Sequence, residues 1–143
     1  MAKTLMVTAN STVLIVAAST VRYFVCANAP LIAESLEGRA QIAYHTPGVM
    51  SNLLVQVYGT IALEGDSTVR LRRNAGNGNM VVTIPGETSG IFEDVTNTDS
   101  IADGDGLDYQ LSTGTTEFSG TFKFALISVV FAATSDSAVR HAA

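Results

Sequence analysis

The chain has 143 residues and a mass of 15.0 kDa, the size of one domain that buries roughly two-thirds of its unfolded surface without covalent staples. Apolar residues make up 47% and charged residues 15%, which excludes a disordered tail, and a net charge of -5 with a pI near 4.8 argues against a nucleic-acid partner, whose phosphates require a basic face. A single cysteine excludes an internal disulfide and a cysteine-built zinc site, and two histidines with no tryptophan leave little material for catalysis.

In chain order, residues 1–20 carry one apolar, β-branched run, Thr12-Val13-Leu14-Ile15-Val16-Ala17. It is far shorter than the roughly 20 residues that span a bilayer, and Asn10, Ser11 and Thr12 interrupt it as a secretion signal. No membrane partner is expected, and Cys26 suits a protein made in a reducing cytoplasm. The run is too hydrophobic to hang in water. It either completes its own sheet as an edge strand or adds to the exposed edge of another subunit.

From residue 21 onward the chain reads as strands and turns. Residues 21–26 are apolar on both faces, and Cys26 within them is expected to be inert packing. His45, before Thr46-Pro47-Gly48, reads as a polar residue at a strand end. Leu53, Val55 and Val57 alternate with Leu54, Gln56 and Tyr58; Val69 and Leu71 with Arg70 and Arg72; Met80, Val82 and Ile84 with Val81 and Thr83; Leu107, Tyr109 and Leu111 with Asp108, Gln110 and Ser112. Each is the two-residue period of a strand with one buried face. Residues 64–67, the Gly-rich run 74–79, Pro85-Gly86 and residues 103–106 punctuate these strands as turns and loops. Strands recurring at this spacing predict an all-β, antiparallel sandwich or barrel.

The strand at residues 122–131 is apolar on both sides. Simple alternation places Phe122, Phe124 and Leu126 on one face and Ala125, Ile127, Val129 and Phe131 on the other. Both faces must be covered, by a loop or the N-terminal arm or by a subunit interface, for which Phe124, Ile127, Val129 and Phe131 are the candidates.

The chemistry-bearing residues are sparse. Asp103-x-Asp105-x-x-Asp108, with Gly104 and Gly106, either wraps a calcium ion or forms an ordinary turn; it lacks the spacing and terminal Glu of an EF-hand, so no cofactor is expected. No Gly-x-Ser-x-Gly elbow and no Walker-type lysine occur, so no enzyme activity is expected. Between Arg73 and Lys123 there is no basic residue, while eight acidic ones fall there. The bland reading is a solvated acidic loop face; the sharper one is a negative outer surface, with the more basic N-terminal half toward a partner.

The order Ser51-Asn52-Leu53-Leu54-Val55-Gln56-Val57, Ser67 to Asn74, Val82-Thr83-Ile84-Pro85, Gly90-Ile91-Phe92-Glu93-Asp94-Val95-Thr96-Asn97-Thr98-Asp99, Ala102-Asp103-Gly104-Asp105 and Asp108-Tyr109-Gln110-Leu111 resembles small jelly-roll virion proteins of tailed bacteriophages. The resemblance spans residues 48–131 and is marked by the strand ending Arg72-Arg73-Asn74 followed by Phe-Glu-Asp-x-Thr-Asn. The loop at residues 75–78 departs from the shorter Asn-Gly turn of such proteins. The resemblance implies a jelly roll forming homotrimers similar to tumour-necrosis-factor and C1q heads. It further implies a capsid decoration (cement) protein on the virion exterior, partnered by the phage major capsid protein, with Val13, Leu14, Ile15 and Val16 as a capsid-contact arm. The domain map is then an arm or edge strand at 1–20, a jelly roll at 21–133 and a polar tail at 134–143. The alternatives are a tail or fibre module binding cell-surface glycans through Tyr44 or Tyr58, a hydrolase of surface polymers, and a cytokine-like protein.

Overall fold

The computed structural model describes residues 3–61, 63–116 and 120–134. The alternating segments become strands β1 (Lys3–Ala17), β2 (Val21–Val25), β3 (Ile42–Ala43), β4 (Gly48–Ile61), β5 (Ser67–Arg73), β6 (Gly76–Ile84), β7 (Gly90–Ile101), β8 (Gly106–Ser112) and β9 (Thr121–Ala133), with a 3-10 turn at Glu37–Arg39. They form two antiparallel sheets, ordered β1-β9-β4-β7 and β2-β8-β5-β6, with β3 attached to β8. Most connections pass from one sheet to the other, which is the winding of a jelly roll.

The inward residues of both sheets make one core. Met50, Leu53 and Val55 of β4 are fully buried, as are Leu107, Tyr109 and Leu111 of β8. Phe24 of β2 meets Phe124 of β9 edge to face, and Phe124 in turn meets Phe122, both at 5.3 Å between ring centroids. Each such side chain contributes about 2–3 kcal/mol of transfer free energy on burial.

Strand β9 corrects the two-faced reading. Gln56 of β4 pairs with Leu126 and the next residue, Val57, pairs with Phe124; on the other side Ala9 pairs with Leu126 and Leu14 with Phe124. Ala125 thus has no partner in either ladder and forms a β-bulge, which shifts the alternation by one residue. Phe122 and Phe124 before the bulge, and Ile127, Val129 and Phe131 after it, all point into the core and are fully buried within the single chain. Phe124, Ile127, Val129 and Phe131 are therefore core residues, not an interface between subunits.

Strand β1 likewise belongs to its own sheet. It pairs with β9 from Lys3↔Ala132 to Ala17↔Thr121. Of the two alternatives for residues 1–20, the structure has the edge strand: the sandwich begins at residue 3, and the apolar run completes the chain's own sheet. Val16 is buried and Leu14 packs on the core, whereas Val13 and Ile15 face outward. Of the expected polar tail only Thr134 is described, its N–H donating to the Pro47 carbonyl at 3.0 Å; residues 135–143 lie outside the described residues.

The Gly-rich run is mostly strand. Asn74 and Ala75 carry φ of 52° and 61°, a two-residue turn whose twist suits a hairpin, and β6 starts at Gly76. Gly78 is needed for a close approach, because a Cβ there would lie 2.8 Å from an Asp99 carboxylate oxygen.

That approach closes one side of the sandwich. Asp99 on β7 accepts the backbone N–H groups of Asn79 and Met80 on β6, at 2.6 and 3.0 Å. Asp94 accepts those of Val81, Thr96 and Asn97 and the Asn97 side-chain amide, at 2.9–3.1 Å. On the opposite side, the segment after β2 covers part of the β1 edge: Val7 donates to the Asn28 side chain, Ala9 to the Ala29 carbonyl, and Asn10 exchanges two hydrogen bonds with Leu31.

Candidate functional site

With the aromatic side chains of β9 turned inward, the outer face of the β1-β9-β4-β7 sheet carries the complementary set. Pairing aligns Leu5 with Val130 and Ser51, Val7 with Ser128, Leu54 and Glu93, and Ala9 with Leu126, Gln56 and Ile91. Leu5, Ile15 and Ile91 are 58%, 57% and 61% exposed, and Leu54, Leu126 and Val130 are half-buried. Lys123, opposite Ile15, and Glu93, opposite Leu54, supply charges of opposite sign on this face. It is a largely apolar surface several strands wide, and strict alternation from the inward Phe124 would have turned Leu126, Ser128 and Val130 into the core.

The outer face of the second sheet is polar and partly roofed. Arg72 of β5 and Asp108 of β8 are direct cross-strand partners. Over them lies the Glu37–Arg39 turn, whose Glu37 carboxylate accepts two hydrogen bonds from Arg72, Nε to Oε2 at 2.8 Å and Nη2 to Oε1 at 3.0 Å. Arg72 also donates to Asn77 Oδ1 and to the Ala75 carbonyl. The guanidinium holds the Glu37 carboxyl below its ordinary value. Asp108 is fully buried, and no protein N–H or O–H reaches either of its oxygens. Burial first, and then the neighbouring Glu37 carboxyl, push Asp108 well above the carboxylate range, against the pull of Arg72. A carboxyl pair is present, but its buried member touches no solvent.

The three aspartates read as a calcium loop or turn go separate ways. Asp103 Oδ1 lies 3.4 Å from His45 Nδ1. Asp105 accepts from the Asn74 side chain and the Ala102 N–H, both at 2.8 Å, closing the β7–β8 turn. Asp108 belongs to the buried cluster. Among the described residues, no group of three or more His, Cys, Asp or Glu side chains could hold a metal ion.

Cys26 is fully buried beside Tyr44, whose hydroxyl donates to the Cys26 carbonyl and lies 3.8 Å from its Sγ. Desolvation pushes the thiol up to about 11, with the Tyr109 and Tyr44 hydroxyls opposing. Tyr44 is buried against Phe131, so of the two aromatics considered for glycan binding only Tyr58 is exposed, at 53%.

No known protein family matches the chain, and no curated protein matches it in sequence. Among solved structures it is similar to Eiger TNF from S. frugiperda, with a TM-score of 0.54, 13% identity, and coverage of 96% of this chain and 98% of that one. The fold is a TNF-like jelly roll. It is also similar to the CBM36-1 domain of a multidomain xylanase from the hindgut metagenome of Trinervitermes trinervoides, at a TM-score of 0.48, 8% identity, and coverage of 90% and 96%.

Proposed function

We propose that the protein is a non-catalytic virion subunit, a phage capsid decoration protein that acts as a homotrimer on the shell exterior after synthesis in the host cytoplasm. The observation that carries this reading is the exposed apolar outer face of the β1-β9-β4-β7 sheet, with Leu5, Ile15 and Ile91 at its surface. A patch of this kind on a small soluble domain is an association surface. Lys123 and Glu93 on the same face suit head-to-tail packing of copies around an axis. The likeness of residues 48–131 to jelly-roll virion proteins supplies the setting. The mechanism is mechanical: each trimer buries apolar surface across a joint between major capsid subunits, at about 25 cal/mol per Å², and opposes the outward pressure of packaged DNA.

One observation favours a second reading, a tail or fibre module that recognises cell-surface glycans: Tyr58 offers an exposed ring on which a sugar could stack.

Sedimentation velocity and binding to undecorated shells test the first reading. The wild type should sediment as a trimer at micromolar concentration and label shells in electron micrographs. Leu5→Asp combined with Ile91→Asp should sediment as a folded monomer. A wild-type monomer that leaves shells bare overturns the reading, and binding on a glycan array supports the second.

A further inference from the structure

Strand β1 is the outermost strand of its sheet, so one row of its backbone groups points away from β9. The direction alternates along the strand, and two hydrogen bonds fix its phase. Ala18 N–H donates inward to the Gly120 carbonyl, and the Ala17 carbonyl receives the Thr113 hydroxyl from outside. With Leu14 opposite Phe124 and Val16 opposite Phe122, residues 14, 16 and 18 bond to β9. The N–H and C=O of Ile15 and the C=O of Val13 therefore point outward.

The segment after β2 uses part of this row. Val7 N–H donates to Asn28, Ala9 N–H donates to Ala29, and the Asn10 side chain is tied to Leu31. That cover ends at Asn10, and Thr113 takes up the row again only at Ala17. Between them, among the described residues, no partner meets the outward groups of Val13 and Ile15. Their side chains are 38% and 57% exposed, and residues 11–17 contain neither proline nor charge. An open, uncharged, β-branched edge is a template for another strand.

The strand that pairs here must itself have an unused edge. Strands β6 and β7 face each other through the Asp94 and Asp99 clasp. On β2, Tyr23 is bonded to Glu34, and the Val25 carbonyl meets the Thr8 hydroxyl. A second β1 has the matching open stretch, and pairing like with like closes as a dimer instead of running on as a fibre.

We propose that β1 pairs with β1 of a second copy, antiparallel about a twofold axis at Leu14, the Ile15 N–H of each chain donating to the Val13 carbonyl of the other. Val13 and Ile15 of the two copies then lie opposite each other, an apolar cross-strand cluster on the outer face. The nearest described cation is Lys123, one strand in from Ile15. Three strand spacings, about 14 Å, separate it from its counterpart in the second copy. That exceeds the screening length of about 8 Å, so the two charges do not oppose the contact.

The pairing uses backbone groups at the sheet edge, whereas the proposed trimer uses side chains of the sheet face, and the two are tested separately. In the unaltered full chain, the Ile15 amide should exchange fast at micromolar concentration and about tenfold slower once most copies are paired. The Val16 amide, which lies in the β1–β9 ladder, should not change. The Leu5→Asp, Ile91→Asp double variant, with the face contact removed, should pass from monomer to dimer between micromolar and millimolar concentration in sedimentation velocity. Adding Ile15→Pro removes the outward donor without a ladder bond, a substitution that edge strands tolerate, and should abolish that dimer. An Ile15 amide that exchanges at one rate at every concentration overturns the proposal, a result that needs no variant. So does a dimer that survives Ile15→Pro, and so does an amide that slows only when undecorated shells are added, which assigns the edge to a capsid strand. Concentration-dependent slowing in a wild type that never forms trimers upholds the edge pairing and overturns the trimer alone.

Discussion

Phe24 and Phe124 meet edge to face at 90°, 5.3 Å apart, one from each sheet. They are the point where β2 is pinned to the bulged half of β9, and both are fully buried. Phe124→Ala removes this contact and the one to Phe122, and leaves a cavity between two layers that cannot easily collapse. The expected loss is about 3–5 kcal/mol of folding free energy, measured by urea unfolding. A loss below 1 kcal/mol would place Phe124 outside the core.

Strand β1 offers a sharper contrast. It supplies Met6, Thr8 and Val16 to the interior, and the single Thr8 hydroxyl hydrogen is shared between the carbonyls of Val25 and Ala27, 2.6 and 2.8 Å from Oγ1. Deleting residues 1–19 should abolish cooperative unfolding by circular dichroism, because β9 would lose one of its two ladder partners and the core would lose Met6, Thr8 and Val16. A truncated protein with an unchanged melting temperature would restore the free-arm reading.

Asp94 makes the fold acid-sensitive. Burial favours its neutral form, but hydrogen bonds from the Asn97 side chain and from the backbone of Asn97, Val81 and Thr96 outweigh that and hold the carboxyl down to about 2. Because the folded value lies below the unfolded value of 3.8, the stabilisation is present above pH 4 and is lost as pH falls toward 2. Asp94→Ala should cost about 1–3 kcal/mol at pH 7 by removing the acceptor of four part-buried hydrogen bonds, and the mutant should show a smaller fall in melting temperature between pH 5 and pH 2.5 than the wild type. Parallel pH profiles would refute this.

Cys26 should be unreactive. With the thiol pushed up to about 11 and sealed from solvent, a thiol reagent at pH 7.5 should label the native protein far more slowly than the urea-unfolded chain. Cys26→Ser should cost about 1–2 kcal/mol, read from the same unfolding assay.

The strands were legible because one-sided burial writes itself as alternation, and β4, β5, β6 and β8 contain the segments so read. The bulge at Ala125 was not. A bulge adds one residue without changing composition, so an all-apolar strand looks the same whether it has two greasy faces or one face with a phase shift. The Asn74-Ala75 turn was hidden for a related reason: Gly76 and Gly78 mimic loop residues, yet Gly78 is small to admit the Asp99 carboxylate. The Asp108 cluster depends on Glu37 and Arg72, distant in sequence and brought together only by the roof over the second sheet. Its one local signal was a charged residue within a strand, counted instead with the turn aspartates beside it.

The carboxylates that clasp β6 to β7 have a consequence for how copies of this chain meet. The N–H groups of Asn79, Met80 and Val81 are those a foreign strand would need to extend the second sheet, and Asp99 and Asp94 already occupy them. Fibre growth by strand addition is blocked there by side chains of β7, and a newcomer's carbonyls would meet negative charge. A protein with so many β-branched residues can therefore be crowded at high concentration without templating amyloid from that edge.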